Sequence, residues 1–228
     1  MKVRLPENLT EIKLSQYKRY KKVVMDNQED EVFCAIQMVA IFCDLSVADV
    51  MKIPRDQFAE IVEHLAKVLD QRPQLVRTFK MDGVKYGFIP NFEKATLGEY
   101  ADADSLLNDD ERLELLMTVL YRPITRQAGS VYEIEPYQAD EAKAELFKDV
   151  RMDVVIGAVL FFYRLNKELL KHSLRCSLSK MTEKEVLEDL EKGGDGITAL
   201  YELQERLESD HTNAEQNRFM NHSRYYHT

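Results

Sequence analysis

The fold is decided by residues 81–137, MDGVKYGFIPNFEKATLGEYADADSLLNDDERLELLMTVLYRPITRQAGSVYEIEPY. The stretch opens on Asp82-Gly83, which lies between two short runs rich in β-branched and aromatic residues, Leu75–Met81 and Val84–Ile89. A type I′ turn needs positive φ at both central positions, which Gly adopts freely and Asp tolerates better than most residues. The pattern therefore predicts a small β-hairpin over residues 75–89 that ends at Pro90.

The rest of this stretch indicates two helices and a short strand. Thr96 is the predicted N-cap of the first helix, because Glu99 follows it at the capping-box spacing. Apolar residues at helical spacing predict a second helix over Asp109–Tyr121. Arg122-Pro123 should end that helix, since the residue before a proline is pushed out of the α region. Val131–Ile134 then has the pattern of an extended segment.

Helices are predicted for most of the remaining chain, after an extended lead-in over residues 1–14. Apolar spacing and cap residues predict them over Gln16–Met25 (N-cap Ser15), Glu29–Leu45, Val47–Lys52 (N-cap Ser46), residues 54–70, Asp140–Lys148 and Met152–Ser173. The last of these should be the longest, and Gly157 within it should permit another helix to approach closely. Thr182–Lys192 and Ile197–Leu207 are predicted as a further pair around Gly193–Gly196.

These elements predict a mainly α fold with a small β-hairpin, an α+β class. We expect a globular helical domain over residues 1–178, which contains the hairpin. A C-terminal helical appendage should follow as a helical pair over residues 179–209. The polar stretch 210–228 should be a flexible tail, because it has too few apolar residues to build a core of its own.

The chain is acidic, with a formal net charge of −9 over 228 residues. A nucleic-acid surface normally needs a basic patch to neutralise phosphates, so no nucleic-acid partner is expected. One short helix runs against the trend, because it carries the basic residues Lys18, Arg19, Lys21 and Lys22 beside two tyrosines. These residues form either a docking face for an acidic partner or a solvated face that shields its own apolar stripe. We favour the solvated face.

The sequence predicts an intracellular protein without a membrane partner. Its longest apolar run, Val154–Tyr163, is ten residues long, about half of the ~20 residues that a membrane-spanning helix needs. Met1–Pro6 lacks the apolar core of a secretory signal. The three cysteines are odd in number and two lie in apolar helical context, which favours reduced, buried thiols; they are Cys34, Cys43 and Cys176.

No pattern in the chain points to catalysis, a cofactor or a metal ion. The carboxylate cluster over residues 102–111 lacks the central glycine and alternating ligands of a calcium loop, and suits a helix N-terminus instead. Gly193–Gly196 is not followed by the Lys-Ser/Thr pair of a P-loop, and His64 has no second ligand at helical spacing. We expect no catalytic, cofactor-binding or metal-binding residues. An enzyme of unrecognised chemistry is the remote alternative.

Five segments of the chain resemble a loose group of tailed-bacteriophage proteins, in which they occur in the same order. They are NLTEIKLSQY (Asn8–Tyr17), YGFIPN (Tyr86–Asn91), LGEYAD (Leu97–Asp102), LYRPI (Leu120–Ile124) and YEIEPY (Tyr132–Tyr137). An aromatic apolar segment like Leu160–Tyr163 follows in many of those proteins, so the resemblance spans about residues 5–170. Genes of this group often lie near tail genes, which implies a role in virion morphogenesis.

The resemblance implies a non-enzymatic protein that acts through protein–protein contacts. A tail assembly chaperone is the first expectation: it would shield apolar helices of a tape-measure protein in a groove, in the host cytoplasm. A minor structural component of the virion, in the tail, baseplate or connector, is the alternative. The expected partners are other phage proteins, such as tape-measure, tail or baseplate subunits, and homo-oligomerisation is also open. An exposed apolar patch between the Glu29–Leu45 and Met152–Ser173 helices would favour either role.

The candidate interaction and structural residues come from the same segments. They are Glu99, Tyr100, Tyr121, Arg122, Pro123, Tyr132, Tyr137, Phe161 and Phe162. We expect Arg122 to pair with a carboxylate, with Glu99 as the first choice, because that pair would hold the LGEY and LYRPI segments together.

Overall fold

A computed structural model describes residues 3–92, 95–107, 109–138 and 140–180, with side chains as far as Glu168. The chain divides into two compact units, and the described residues up to Val159 belong to the first. Those from Leu160 onward belong to the second. The predicted helices Thr182–Lys192 and Ile197–Leu207, the glycine-rich break between them and the polar tail lie outside the described residues.

The described residues are mainly helical with a small antiparallel sheet, which confirms the predicted α+β class. The helices are α1 (Leu14–Asp26), α2 (Glu31–Phe42), α3 (Val47–Val50), α4 (Arg55–Leu69), α5 (Leu97–Leu107), α6 (Leu113–Leu120) and α7 (Met152–Lys180). The strands are β1 (Thr78–Met81), β2 (Val84–Phe88), β3 (Tyr121–Ala128) and β4 (Val131–Ile134). In the described residues, short 3₁₀ helices cover Leu9–Glu11, Asp110–Arg112 and Glu141–Phe147.

The predicted hairpin is present as β1 and β2. Its turn has φ of 49° at Asp82 and 79° at Gly83, so both central residues adopt the positive φ that a type I′ turn requires. Cross-strand register runs from Met81 opposite Val84 to Thr78 opposite Gly87. The local signal in the sequence was therefore sufficient to place this element.

The sheet is larger than predicted, because β3 and β4 extend it to four strands in the order β1-β2-β3-β4. The predicted helix over Asp109–Tyr121 is wrong at its end: it stops at Leu120, and Tyr121 begins a strand. Pro123 ends the helix as expected but also lies inside β3. The N and C=O of one residue in an antiparallel strand point to the same side. The Pro123 carbonyl accepts the Glu135 N–H, so the Pro123 nitrogen also points toward the β4 side, beyond the end of β4 at Ile134. No ladder bond to β2 is lost there.

The predicted extended lead-in is interrupted by the 3₁₀ helix over Leu9–Glu11, and it packs into the fold. Leu9, Ile12 and Leu14 are buried, and the chain at Lys13 forms a bridge with Arg151. On either side of this bridge, Leu14 donates to Val150 O at 2.9 Å and Met152 donates to Ile12 O at 2.9 Å. The predicted N-cap Ser15 lies within α1, and its hydroxyl donates to Asp149 instead.

The remaining helices follow the predicted order with different bounds. Ser46 caps α3 as predicted, accepting the Asp49 N–H through its hydroxyl. Residues 141–147 form a 3₁₀ helix rather than an α-helix. α7 is the longest described helix, and its residues 152–160 are buried throughout. A Cβ at Gly157 would lie 2.5 Å from the Gln74 carbonyl oxygen, so this glycine admits the backbone between α4 and β1 and not, as expected, another helix.

An aromatic cluster forms the core under one face of the sheet. Side chains alternate along each strand, which places Phe79, Tyr86, Phe88 and Tyr121 on this same face. Phe79 stacks on Tyr86 at 5.5 Å between ring centroids, and Tyr121 meets both phenylalanines edge to face. The ring of Phe147, from the third 3₁₀ helix, closes the cluster against Tyr86.

Candidate functional site

The LGEY segment begins α5, and Glu99 closes its first turn. The Thr96 hydroxyl accepts the Glu99 N–H at 3.2 Å, and the Glu99 carboxylate accepts the Thr96 N–H at 2.6 Å. These two bonds are the capping box predicted from the sequence, and they satisfy two amide groups that a helix start would otherwise leave unpaired. The Glu99 side chain is 6% exposed.

The LYRPI segment supplies the counter-charge. The Arg122 Nη2 lies 2.5 Å from the Glu99 Oε1, and the arginine side chain is 11% exposed. The expected pairing of Arg122 with Glu99 is therefore confirmed, and it joins the start of α5 to the start of β3. The Arg122 Nε is buried without a hydrogen-bond partner among the described residues.

The YEIEPY segment completes the cluster through Tyr137. Its hydroxyl donates to the Asp102 carboxylate, and its ring lies 5.8 Å from the guanidinium carbon of Arg122. Burial, followed by the Asp102 hydrogen bond, raises the pKa of Tyr137 to about 12. At Glu99, burial raises the pKa, but the Thr96 hydrogen bonds and Arg122 outweigh it and leave the pKa below its usual value. The cluster thus holds an ionised carboxylate, a guanidinium and a neutral phenol.

The hydroxyls of Tyr121 and Tyr132 form hydrogen bonds to backbone carbonyls, and these two residues are not part of the cluster. The Tyr121 hydroxyl donates to Val76 O at 2.6 Å, and burial raises its pKa strongly. The Tyr132 hydroxyl lies 2.8 Å from Phe88 O, with its ring lying across Gly87. A Cβ at Gly87 would be 2.5 Å from a ring carbon of Tyr132, so only glycine fits beneath this ring.

The other candidate residues are Tyr100, Pro123, Phe161 and Phe162. Tyr100 is half-buried, and burial followed by the Asp104 charge raises its pKa. Pro123 is half-buried within β3. Phe161 is half-buried and Phe162 is buried, and both belong to the second unit. The structure therefore brings together Glu99, Arg122 and Tyr137, to which it adds Asp102 and Thr96.

Comparisons with protein-family models, with curated proteins and with solved structures find no match to this chain. What the site can do must therefore be inferred from its own residues. Each polar head group in the cluster is engaged within the chain, apart from the Arg122 Nε. The arrangement joins α5, β3 and the segment after β4 by complementary charge, which is a structural role.

A cleft of about 470 Å³ lies elsewhere, beside the N-terminal segment and the end of α2. Lys13, Cys43 and Asp44 are among its lining residues. Burial raises the pKa of the Cys43 thiol to about 11, which keeps it protonated and unsuited to act as a nucleophile. Lys13 is bound to Asp149 at 2.9 Å. The cleft thus offers no activated nucleophile.

The described residues contain no group of three or more His, Cys, Asp or Glu side chains that could hold a metal ion. In the same part of the chain, no helix combines the length and apolar character needed to cross a membrane. Cys34 and Cys43 are free and buried, as predicted, and Cys176 lies where side chains are not described.

The basic residues of α1 have a role that sequence reasoning missed. The Lys18 ammonium binds both carboxylate oxygens of Glu114, at 2.7 and 2.8 Å, and Lys21 pairs with Asp110. The favoured solvated face is therefore wrong for these two lysines, which cross-link α1 to α6 and to the 3₁₀ helix before it. Arg19 and Lys22 are exposed. A hint lay in the excess of carboxylates over residues 109–114, but spacing along the chain could not pair residues this far apart.

Proposed function

We propose that this chain is a non-enzymatic bacteriophage assembly protein that acts through protein–protein contacts as a tail assembly chaperone in the host cytoplasm. Tape-measure, tail or baseplate subunits would be its partners. The ordered resemblance of five segments to tailed-phage proteins supports the proposal. The structural observation that carries it is an apolar surface left uncovered at the turn between α1 and α2.

This surface, the α1–α2 apolar surface, consists of Met25, Val32 and Phe33. Met25 lies in the last turn of α1 and is 56% exposed, while Val32 and Phe33 lie in the first turn of α2 and are 69% and 36% exposed. Large apolar side chains grouped in this way and bordered by polar residues are typical of a surface that another protein covers. The border is acidic, formed by exposed carboxylates at Asp26, Glu29, Asp30 and Glu31.

This surface is not the patch between α2 and α7 that would have favoured an assembly role. Residues 152–160 of α7 are buried and form no such patch. The uncovered apolar side chains of α2 lie at its first turn instead. A partner helix would therefore contact the α1–α2 turn, with its apolar stripe against Phe33 and Val32.

The internal bonding of the motif residues also supports a non-enzymatic role. Glu99 is neutralised by Arg122, and the hydroxyls of Tyr121 and Tyr132 bind backbone carbonyls. Groups engaged in this way hold the elements of the fold together. The resembling segments would then preserve a shape that presents the contact surface.

The test is mass spectrometry of mature particles from a host that produces this protein, beside affinity capture from the infected-cell lysate. Capture of a tail protein from the lysate, with the chain absent from particles, is the expected result. A fixed stoichiometry in the particle would instead establish the virion-component alternative. Absence from particles together with no tail protein in the lysate capture would overturn both roles.

A double substitution tests whether capture of the tail protein depends on the α1–α2 apolar surface. Val32→Ser combined with Phe33→Ser should abolish capture of the tail protein, because it removes exposed apolar area from this surface. Val47→Ser is the matched control, since Val47 is 43% exposed on α3, away from this turn. Equal capture by the double variant and the control would exclude the α1–α2 apolar surface.

A further inference from the structure

The β4 strand lies at the edge of the sheet. β3 pairs with one side of it, and among the described residues no strand pairs with the other. β2 pairs with β3 only over Tyr121–Pro123, whereas β4 follows β3 out to Ala128. The β3–β4 hairpin therefore extends beyond the rest of the sheet. Val131 at its tip is 72% exposed.

Two residues of β4 direct their backbone groups away from β3. The Glu135 N–H donates to Pro123 O at 3.0 Å, so Glu135 faces β3. Successive residues of an antiparallel strand point alternately to one side and the other. Tyr132 and Ile134 therefore point their N–H and C=O groups outward. Within the described part of the chain, no residue forms a hydrogen bond to these four groups.

The side chains along this edge carry negative charge. Val131, Glu133 and Glu135 share one face of β4, because they alternate along the strand. The Glu133 side chain is 68% exposed, and its closest cation, on Arg126, is 4.0 Å away. Burial raises the pKa of Tyr86 on the same face of the sheet, and the charges of Asp82 and Glu135 raise it further. Glu133 and Glu135 therefore place two carboxylates on this face of the edge strand.

The opposite edge strand, β1, differs in charge. Phe88 donates to Arg77 O, so by the same alternation Thr78 and Lys80 are the outward residues of β1. Lys80 is exposed, and a lysine on an edge strand discourages pairing with a further strand. β4 carries no such protection. Pairing with a second copy of this chain would bring the carboxylates of both copies together, which a net charge of −9 disfavours.

We propose that β4 binds an extended segment of a partner protein by strand addition, through the outward backbone groups of Tyr132 and Ile134. The segment carries Lys or Arg at alternate positions, where they face Glu133 and Glu135. Backbone hydrogen bonds supply the affinity in this mode of recognition, and alternate side chains supply the selectivity. The inference rests on the proposed function, since it names a second surface by which an assembly protein holds its partner. Because only four backbone groups take part, the contact is short and the partner segment should dissociate readily.

The test measures fluorescence anisotropy of two labelled hexapeptides with the full chain, one alternating Lys and Val and the other alternating Glu and Val. Only the Lys-Val peptide should bind saturably. Ile134→Pro removes an outward N–H without removing a bond to β3. It should weaken binding at least about tenfold, the loss expected for one backbone hydrogen bond and the clash of the proline ring. Lys80→Pro is the matched control, because it makes the same change at the outer side of β1, and binding should persist.

Three results would overturn the proposal. They are equal binding of both peptides, binding that Ile134→Pro leaves unchanged, and no saturable binding. A dimer that light scattering detects and Ile134→Pro dissociates would assign the edge to a second copy and overturn it as well. If Ile134→Pro fails to unfold cooperatively in urea, Glu133→Gln with Glu135→Gln takes its place and should abolish the preference for the Lys-Val peptide. Capture of a tail protein by a chain that binds neither peptide would refute this inference while leaving the proposed function standing.

Discussion

The Glu99 carboxylate binds the Arg122 guanidinium with one oxygen and closes the first turn of α5 with the other. The distances are 2.5 Å from Oε1 to the Arg122 Nη2 and 2.6 Å from Oε2 to the Thr96 nitrogen. One side chain therefore fixes both where α5 begins and where it lies relative to β3. Removing the charge of Glu99 or of Arg122 should therefore destabilise both α5 and β3.

Arg122→Ala should lower the free energy of unfolding by about 3–5 kcal/mol, because it leaves the Glu99 carboxylate buried without its counter-charge. Urea unfolding followed by circular dichroism measures the change. Arg126→Ala is the matched control on the same strand. The Arg126 side chain is 84% exposed, and its Nη1 lies as far as 4.0 Å from the Glu133 carboxylate. The control should change stability by no more than about 0.5 kcal/mol. Similar losses in the two variants would contradict the role given to the buried pair.

Acid should weaken the fold through Glu99. Although burial raises its pKa, the Thr96 hydrogen bonds and Arg122 lower it further, so the pKa lies below the ordinary value of 4.5. A carboxyl of this kind stabilises the fold above its unfolded pKa, and the contribution is lost as the pH falls through the folded pKa. The free energy of unfolding should therefore decline below about pH 4.5. Glu99→Gln should make that decline shallower in urea unfolding repeated across the acid range, and an unchanged slope would refute the assignment.

Two helical glycines should respond oppositely to alanine. Gly157→Ala should cost about 1–3 kcal/mol, because the new Cβ would meet the Gln74 carbonyl oxygen at 2.5 Å and backbone cannot easily move aside. Gly98→Ala should instead be neutral or stabilising by up to about 1 kcal/mol, since the nearest atom is 3.9 Å away and alanine favours helix. Melting temperatures that move in the same direction would show that the close approach at Gly157 is absent.

Lys18→Met should destabilise the protein by about 1–3 kcal/mol, because the Glu114 carboxylate would lose the ammonium that binds both of its oxygens. The Lys18 ammonium also donates to the Glu111 carbonyl at 2.6 Å, and the Glu114 side chain is 10% exposed. Lys22→Met, one turn along and exposed, should stay within about 0.5 kcal/mol of the parent chain. Equal effects of the two substitutions in urea unfolding would mean that α1 is not held by the Lys18 contact.

Local signals allowed part of the structure to be predicted. The Asp82-Gly83 turn needs only the conformational freedom of two residues, and the capping box of Thr96 and Glu99 lies within four positions. The Arg122 pair was reachable because both partners sit in segments already expected to be adjacent. In each case the deciding interaction is short in sequence or has one obvious partner.

The rest depended on contacts that no local pattern encodes. Pro123 was read as a helix stop, which is correct, but its tolerance inside β3 depends on where β4 ends. The lysines of α1 could not be matched to Glu114 and Asp110, because 96 and 89 residues separate the partners. Tyr137 was a candidate without an assigned contact, and only the folded chain shows that it meets Asp102.

The bridge between Lys13 and Arg151 has a consequence for synthesis. Lys13 also binds Asp149, which follows it by 136 residues. A ribosome adding about 5–20 residues per second needs on the order of ten seconds to make that intervening chain. The side chains of Leu9, Ile12 and Leu14, which are buried in the folded protein, therefore stay exposed to solvent until the segment around Arg151 has been synthesised. The first unit should complete its folding only after residue 151 has left the ribosome, so the nascent N-terminus should bind ribosome-associated chaperones until then.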